Sequence, residues 1–357
     1  MARIDHFLRQ MLDQDGSDLH LNVGSKPKAR IDGAIRELDG EVLTETSMKA
    51  LLSEITRKER WEHYLRTWDL DMAYEIEGLA RFRGSFLYNH WGPAAIFRQI
   101  PAEILSFEQI NLPEVLKSVC AYKEGLVFVT GPTGSGKSTT LAAMIDYINR
   151  NYRRHIITIE DPVEFVHQNK QSVLVHREVG EHSHSFANAL RGAMRADPDI
   201  ILVGEMRELE TIKLALNCAS MGMLVFGTLH TNNAPKTIDR IIDAFPAEEQ
   251  AQIRVMLAGC LSCVVSQLLA KRQPKGRVGV HEILLKHDAL PNTIRSGRIA
   301  DVRGIIESSQ NQGMKLMDQS IRDLLKAGTI TAREAYMKAT DKERFLPALK
   351  AEEAAES

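Results

Sequence analysis

The run Gly131-Pro132-Thr133-Gly134-Ser135-Gly136-Lys137-Ser138 has the spacing G-x-x-x-x-G-K-[ST] of a phosphate-binding loop. Its glycines let the backbone curl so that successive N–H groups converge on one concavity. The helix that follows adds its positive end there, which suits a triphosphate. Thr133, Gly134, Ser135, Gly136, Lys137, Ser138 and Thr139 are therefore read as ATP-binding. Lys137 reaches toward the β- and γ-phosphates, and Ser138 places its hydroxyl on Mg²⁺. Three further stretches carry carboxylates or imidazole at the ends of apolar runs. Ile200 to Val203 leads through Gly204 to Glu205, where a carboxylate can orient an attacking water. Gly204 stands where many nucleotide hydrolases put a metal-binding Asp, so the metal falls to Ser138, water and another acid. Ile157-Thr158-Ile159-Glu160-Asp161-Pro162-Val163-Glu164 gathers three acids around a proline. That is costly unless a cation is near, and either Glu160 or Glu164 could support its shell. Phe226 to Leu229 ends in His230, read as a γ-phosphate sensor.

Arginines complete the set, because a guanidinium fork suits phosphoryl oxygens. Arg191 and Arg195 are four apart on an expected helix, hence on one face, and Arg207 closely follows Glu205. All three are assigned to the nucleotide. Arg81, Arg83 and Arg98 lie far upstream. If they reach a nucleotide, their domain must fold over it, its own or a neighbour's. Glu181-His182-Ser183-His184 is read as an exposed loop, because no third metal ligand is close in sequence. Cys260 and Cys263 have the spacing of half a zinc knuckle without the other half, and are placed on a buried helix.

The elements that must hold these groups alternate. Expected strands at 126–130, 156–159, 200–203 and 224–229 are separated by expected helices at 137–149, 185–195, 208–221 and 233–243. That order implies right-handed crossovers and a mainly parallel sheet, whose strand carboxyl ends face the ligand. After Pro246 the chain reads as largely helical, through 248–270, 288–296, 299–311 and 317–327. Upstream, residues 4–14 form an amphipathic helix, 28–35 a hairpin around Asp32-Gly33, and 47–65 one helix, followed by strands. The domains are then a small α+β domain at 1–100, a linker at 101–113, the ATPase domain at 114–350 and a frayed acidic tail at 351–357.

The chain has 357 residues, 44% hydrophobic and 26% charged, as in soluble globular proteins. Lys plus Arg number 45 against 47 for Asp plus Glu, so no basic field invites nucleic acid. Four cysteines in such a length make no disulfide framework and point to the cytosol. The start lacks an apolar signal core, and no run reaches the ~18 apolar residues of a membrane span. No direct membrane insertion is expected.

Taken together, these motifs resemble the secretion ATPases of type II secretion and type IV pili, and within them the pilus retraction motors of twitching motility. The likeness extends to about residue 345. It is carried by Gly16-Ser17-Asp18-Leu19-His20-Leu21, the phosphate loop, Thr158 to Phe165, Arg177-Glu178-Val179-Gly180, Arg195 to Asp199, Gly204-Glu205-Met206-Arg207, Thr228 to Asn232 and Asp239 to Asp243. The resemblance implies a PAS-like first domain, a RecA-like ATPase domain and a homohexameric ring with ATP and Mg²⁺. It implies that Glu205 is catalytic, with an acidic box at Glu160–Glu164, a histidine box around His230, and Arg83 and Arg98 near ATP. It also implies a cytoplasmic motor at the inner-membrane base of the pilus machine. Its partners there would be a platform protein and a paralogous retraction ATPase. Two departures stand out. Asn89-His90-Trp91-Gly92 replaces an expected Gln-x-Arg-Gly, and Ser320 to Ala327 only echoes the retraction motif. A chain that begins directly with the small domain and lacks a four-cysteine insert fits retraction better than assembly.

Overall fold

The computed structural model describes residues 2–100 and 103–356. Its contacts form two compact units. One comprises Met1–Glu103 with Asp161–Val166 and Glu178–His182, and the other Ile104–Glu160, His167–Arg177 and Ser183–Ser357.

In the first unit, helix α1 (Asp5–Asp13) buries Leu8 and Met11. Strands β1 (Asp18–Asn22), β2 (Lys28–Ile31) and β3 (Ala34–Glu37) follow. The turn joining β2 to β3 has φ of 49° at Asp32 and 81° at Gly33. Positive φ at both positions is the hairpin geometry that Asp-Gly favours. The single helix expected over 47–65 is two: α2 (Glu45–Glu54), capped by the Thr44 hydroxyl, and α3 (Lys58–Thr67). Apolar spacing carries through the break, so periodicity alone merges them. β4 (Asp69–Ile76), β5 (Ala80–Asn89) and β6 (Gly92–Ile100) complete a six-stranded sheet of order β3-β2-β1-β6-β5-β4. Neighbouring strands in it pair antiparallel throughout. Ile4, Leu8, Met48, Leu52, Phe82, Phe86 and Phe97 fill the space between sheet and helices.

The second unit begins with α4 (Val115–Cys120) and β7 (Gly125–Thr130), whose six residues are all buried. α5 (Lys137–Asn151), β8 (His155–Glu160), β9 (Val173–Glu178), α6 (Phe186–Ala193), β10 (Ile200–Val203), α7 (Leu209–Ser220), β11 (Leu224–Leu229) and α8 (Ala234–Asp243) follow. β9 was not foreseen from sequence. The largest departure comes next. α9 (Ala247–Cys260) ends where the expected helix should have continued to 270, and the chain turns into β12 (Leu261–Lys271) and β13 (Arg277–Leu285). Leu261 to Gln267 are buried without interruption, so the alternation that betrays a half-exposed strand is missing. The sheet therefore has seven strands, in the order β13-β12-β7-β11-β10-β8-β9. β12, β7, β11, β10 and β8 run parallel to one another, and β13 runs antiparallel to β12.

Short helices close this unit: α10 (Leu290–Arg295), α11 (Val302–Ser308), α12 (Met317–Lys326), α13 (Ala332–Lys338) and α14 (Leu346–Glu356). The acidic end expected to fray is helical as far as Glu356. Ile321 of α12 packs with Ala270, Val278 and Val280 of the hairpin in a cluster of its own.

Candidate nucleotide site

The parallel ladder decides which residues meet. Thr130 of β7 is level with Leu229 of β11, and Val203 of β10 is level with both Gly227 and Ile159. The carboxyl ends of four neighbouring strands thus present the phosphate loop, His230, Glu205 and Glu160 in one row. This is the edge on which open parallel sheets hold their ligands. Sequence reasoning assigned all of these residues, and the topology brings them to one edge.

At the loop, Gly134 and Gly136 have φ of 78° and 87°, values that favour glycine. Gly136 is the residue before α5, and no side chain caps that helix. Among the described residues, the N–H groups of Gly134, Gly136, Ser138 and Thr139 find no acceptor. Converging unpaired N–H groups at the start of a 15-residue helix make an anion cradle. The Lys137 ammonium donates to the carbonyls of Gly131 at 2.8 Å and Pro132 at 3.2 Å. This lays the lysine along the loop.

Glu205 accepts hydrogen bonds from Arg207 and from His230 Nε2, the latter at 2.9 Å. Partial burial alone would raise its pKa. The hydrogen bonds and charges of Arg207 and His230 outweigh it and hold the carboxyl below its ordinary value of 4.5. Gly204 donates to the Ile159 carbonyl at 2.8 Å, and its own carbonyl accepts from the Thr228 hydroxyl. A Cβ at Gly204 would come within 3.2 Å of the Glu160 Cα, so an Asp there would crowd the neighbouring strand. The absence of that Asp is thus matched by tight backbone packing.

α6 ends at Ala193, so Arg191 and Arg195 do not share a helix face as expected. Arg191 pairs with Glu210 and Asn188, while Arg195 is exposed beyond the helix end. In the first unit, Arg83 pairs with Asp71 at 3.2 Å and Arg98 with Asp18 at 2.7 Å. Arg81 is fully engaged, donating to the Val163 carbonyl, Glu75 and Glu178 at 3.0, 2.9 and 3.3 Å. Glu164 is half-buried within the segment Asp161–Val166 of that unit. Glu181 binds Arg57 and Arg60 rather than standing free in a loop. Cys260 ends α9 and Cys263 lies on β12, not on one buried helix. Burial pushes the Cys260 thiol up to about 12 and Cys263 higher still, so neither offers a thiolate.

Sequence reasoning missed Gln267. Its side chain donates from Nε2 to the Ser135 carbonyl at 2.7 Å and accepts from the Thr140 hydroxyl at 2.7 Å. No local motif announces it, because the contact exists only when β12 lies beside β7.

Fold and site define a phosphate-loop nucleotide hydrolase. More narrowly, the chain belongs to the Type II/IV secretion system protein family, which it matches over residues 1–337. It is 46% identical to the type IV pilus retractation ATPase PilT of Pseudomonas aeruginosa, over 93% of this chain and 96% of that one. It is 44% identical to a twitching motility protein of Neisseria gonorrhoeae, over 89% of this chain and 85% of that one. A crystal structure of the pilus retraction motor PilT with bound ADP superposes with a TM-score of 0.88 at 40% identity, covering 96% of this chain and 98% of that one. The chain is accordingly a nucleotide-binding, ATP-hydrolysing member of this family. Among the described residues, no helix is long and apolar enough to cross a membrane.

Proposed function

We propose that this chain uses ATP hydrolysis to drive retraction of type IV pili. The observation that carries the chemistry is the row of strand ends in which Glu205, bonded to His230 and Arg207, and the phosphate loop flank the strand that ends at His230. The loop's N–H groups and Lys137 bind the triphosphate. Glu205, ionised, accepts a hydrogen bond from the attacking water and aligns it, while His230 fixes the carboxylate and lies near the developing charge. The Ser138 hydroxyl and the carboxylates of Glu160 and Glu205 supply oxygen donors at this edge, the kind that fits a hard cation. Ser138 is the donor proposed to hold Mg²⁺, with Glu160 or Glu164 supporting its shell, and the ion would neutralise phosphate charge. Arg191, Arg195 and Arg207 are proposed to approach the nucleotide. Arg83 and Arg98 are proposed to act on a nucleotide bound by a neighbouring copy, and their side chains remain 44% and 71% exposed for it.

The motor reading rests on likeness to retraction proteins over nearly the whole chain. It extends to a ring of six copies, cytoplasmic, at the inner-membrane base of the pilus machine. There the ring would engage a platform protein, alongside a paralogous retraction ATPase. Deleting the gene should leave surface pili in place or in excess and abolish twitching. Cells without pili would overturn retraction while leaving the ATPase untouched. For the arginines, Glu205→Gln protein mixed with Arg98→Ala protein should recover activity in mixed rings. Activities that merely add, with subunit exchange demonstrated, would exclude action between copies.

A further inference from the structure

We propose that Gln267 is a positioning residue for nucleotide binding, acting through Ser135 and Thr140 on the shape of the phosphate loop. The inference rests on that loop holding nucleotide. β12 runs parallel to β7 with Ser266 level with Thr130, and the two hydroxyls lie 2.8 Å apart. The next residue along each strand is Gln267 on one side and Gly131 on the other. A Cβ on Gly131 would overlap the Gln267 carbonyl oxygen, and one on Gly136 would come within 2.9 Å of Gln267 Nε2. Both motif glycines are therefore pressed against this residue. The close approach, as well as backbone freedom, excludes larger side chains.

The amide of Gln267 then joins two parts of the cradle. Its Nε2 holds the Ser135 carbonyl, and its Oε1 takes the Thr140 hydroxyl from the first turn of α5. Gln267 is 4% exposed, so water does not compete for either bond. In a trans peptide the C=O and the following N–H point in opposite directions. Fixing the Ser135 carbonyl toward β12 therefore turns the Gly136 N–H to the opposite side, away from β12. That N–H has no acceptor among the described residues. A side chain outside the motif thus selects the peptide orientation that makes the motif an anion site.

The test is titration of purified protein with fluorescent ADP, together with ATPase kinetics and a melting curve without nucleotide. Gln267→Met keeps the length of the side chain and removes both polar contacts. Gln267→Met/Thr140→Val also removes the hydroxyl that the first change strands. Gln267→Glu keeps an acceptor for Thr140 but loses the donor to Ser135. Each should raise the Kd for ADP about tenfold, the scale of one misplaced hydrogen-bond donor. KM for ATP should rise in parallel with kcat changing less, as expected when ground-state and transition-state binding are lost together. The double variant should regain melting temperature without regaining affinity. A role in stability alone predicts the reverse, a lower melting temperature with Kd within about twofold of wild type, and that result in any folded variant overturns the proposal. Wild-type protein that fails to bind ADP would instead sink the nucleotide reading of the loop.

Discussion

Glu205 shows how a single carboxylate is prepared by its surroundings. Burial works against its charge, while Arg207 and His230 work for it and prevail. Glu205→Gln leaves the loop and Lys137 intact, so nucleotide affinity should persist while turnover falls about a hundredfold or more. Binding and steady-state rates on the same sample decide this, and a near wild-type rate would remove Glu205 from the chemistry. Lys137→Ala should instead weaken nucleotide binding itself. The depressed pKa also fixes a pH window. The midpoint of its titration lies below the ordinary 4.5, so Glu205 is mostly ionised above that pH and the midpoint of any activity loss from its protonation lies below it. Arg207→Ala removes the strongest influence lowering the pKa and leaves burial opposed only by His230. The acid limb of the kcat profile should then move to higher pH. An unmoved limb would show that Arg207 does not tune the carboxylate.

At the scale of elements, α12 separates two roles that the sequence pattern merges. Ile321 is fully buried against the β12–β13 hairpin, whereas Arg322 and Lys326 are exposed. Ile321→Ala should cost about 2–5 kcal/mol of stability, as other large-to-small core changes do, and lower the melting temperature. It is therefore a poor probe of coupling to a load. Arg322→Ala with Lys326→Ala leaves that packing untouched. If α12 transmits force, this pair should reduce twitching while the ATPase rate of purified protein holds. Equal losses in both would argue against a transmitting role.

Across the whole molecule, two buried histidines tie stability to pH. Burial holds His167 and His281 neutral, with pKa values lowered to about 4, both in the ATPase unit. Unfolded, each takes up a proton near 6.5, while folded it refuses one until about 4. The stability they confer is thus complete above pH 6.5 and drains as pH falls toward 4. The slope approaches about 1.4 kcal/mol per pH unit for each histidine. Urea unfolding of this unit between pH 7 and about 5, where most carboxylates remain ionised, measures it. His281→Phe should flatten the slope by close to one proton. An unchanged slope would mean that His281 is protonated in the folded state.

What the sequence determined by itself is local. Glycine spacing, the apolar run before it and the helical run after it specify the phosphate loop, because a strand–turn–helix needs only neighbouring residues. Acids and a histidine at the ends of apolar runs marked Glu160, Glu205 and His230 for the same reason. The Asp32-Gly33 turn follows from backbone preferences at those two residues. Only the tertiary structure decided what depends on partners distant in the chain. The β12–β13 hairpin was hidden because a strand buried on both faces has no alternation to distinguish it from a helix. Gln267 carries no sequence signal because a lone glutamine has no chemistry until β12 lies against β7. The four-residue spacing of Arg191 and Arg195 predicts a shared helix face, and the early end of α6 parts them. The pairing of Arg83 with Asp71 and of Arg98 with Asp18 was likewise set by which strands lie side by side.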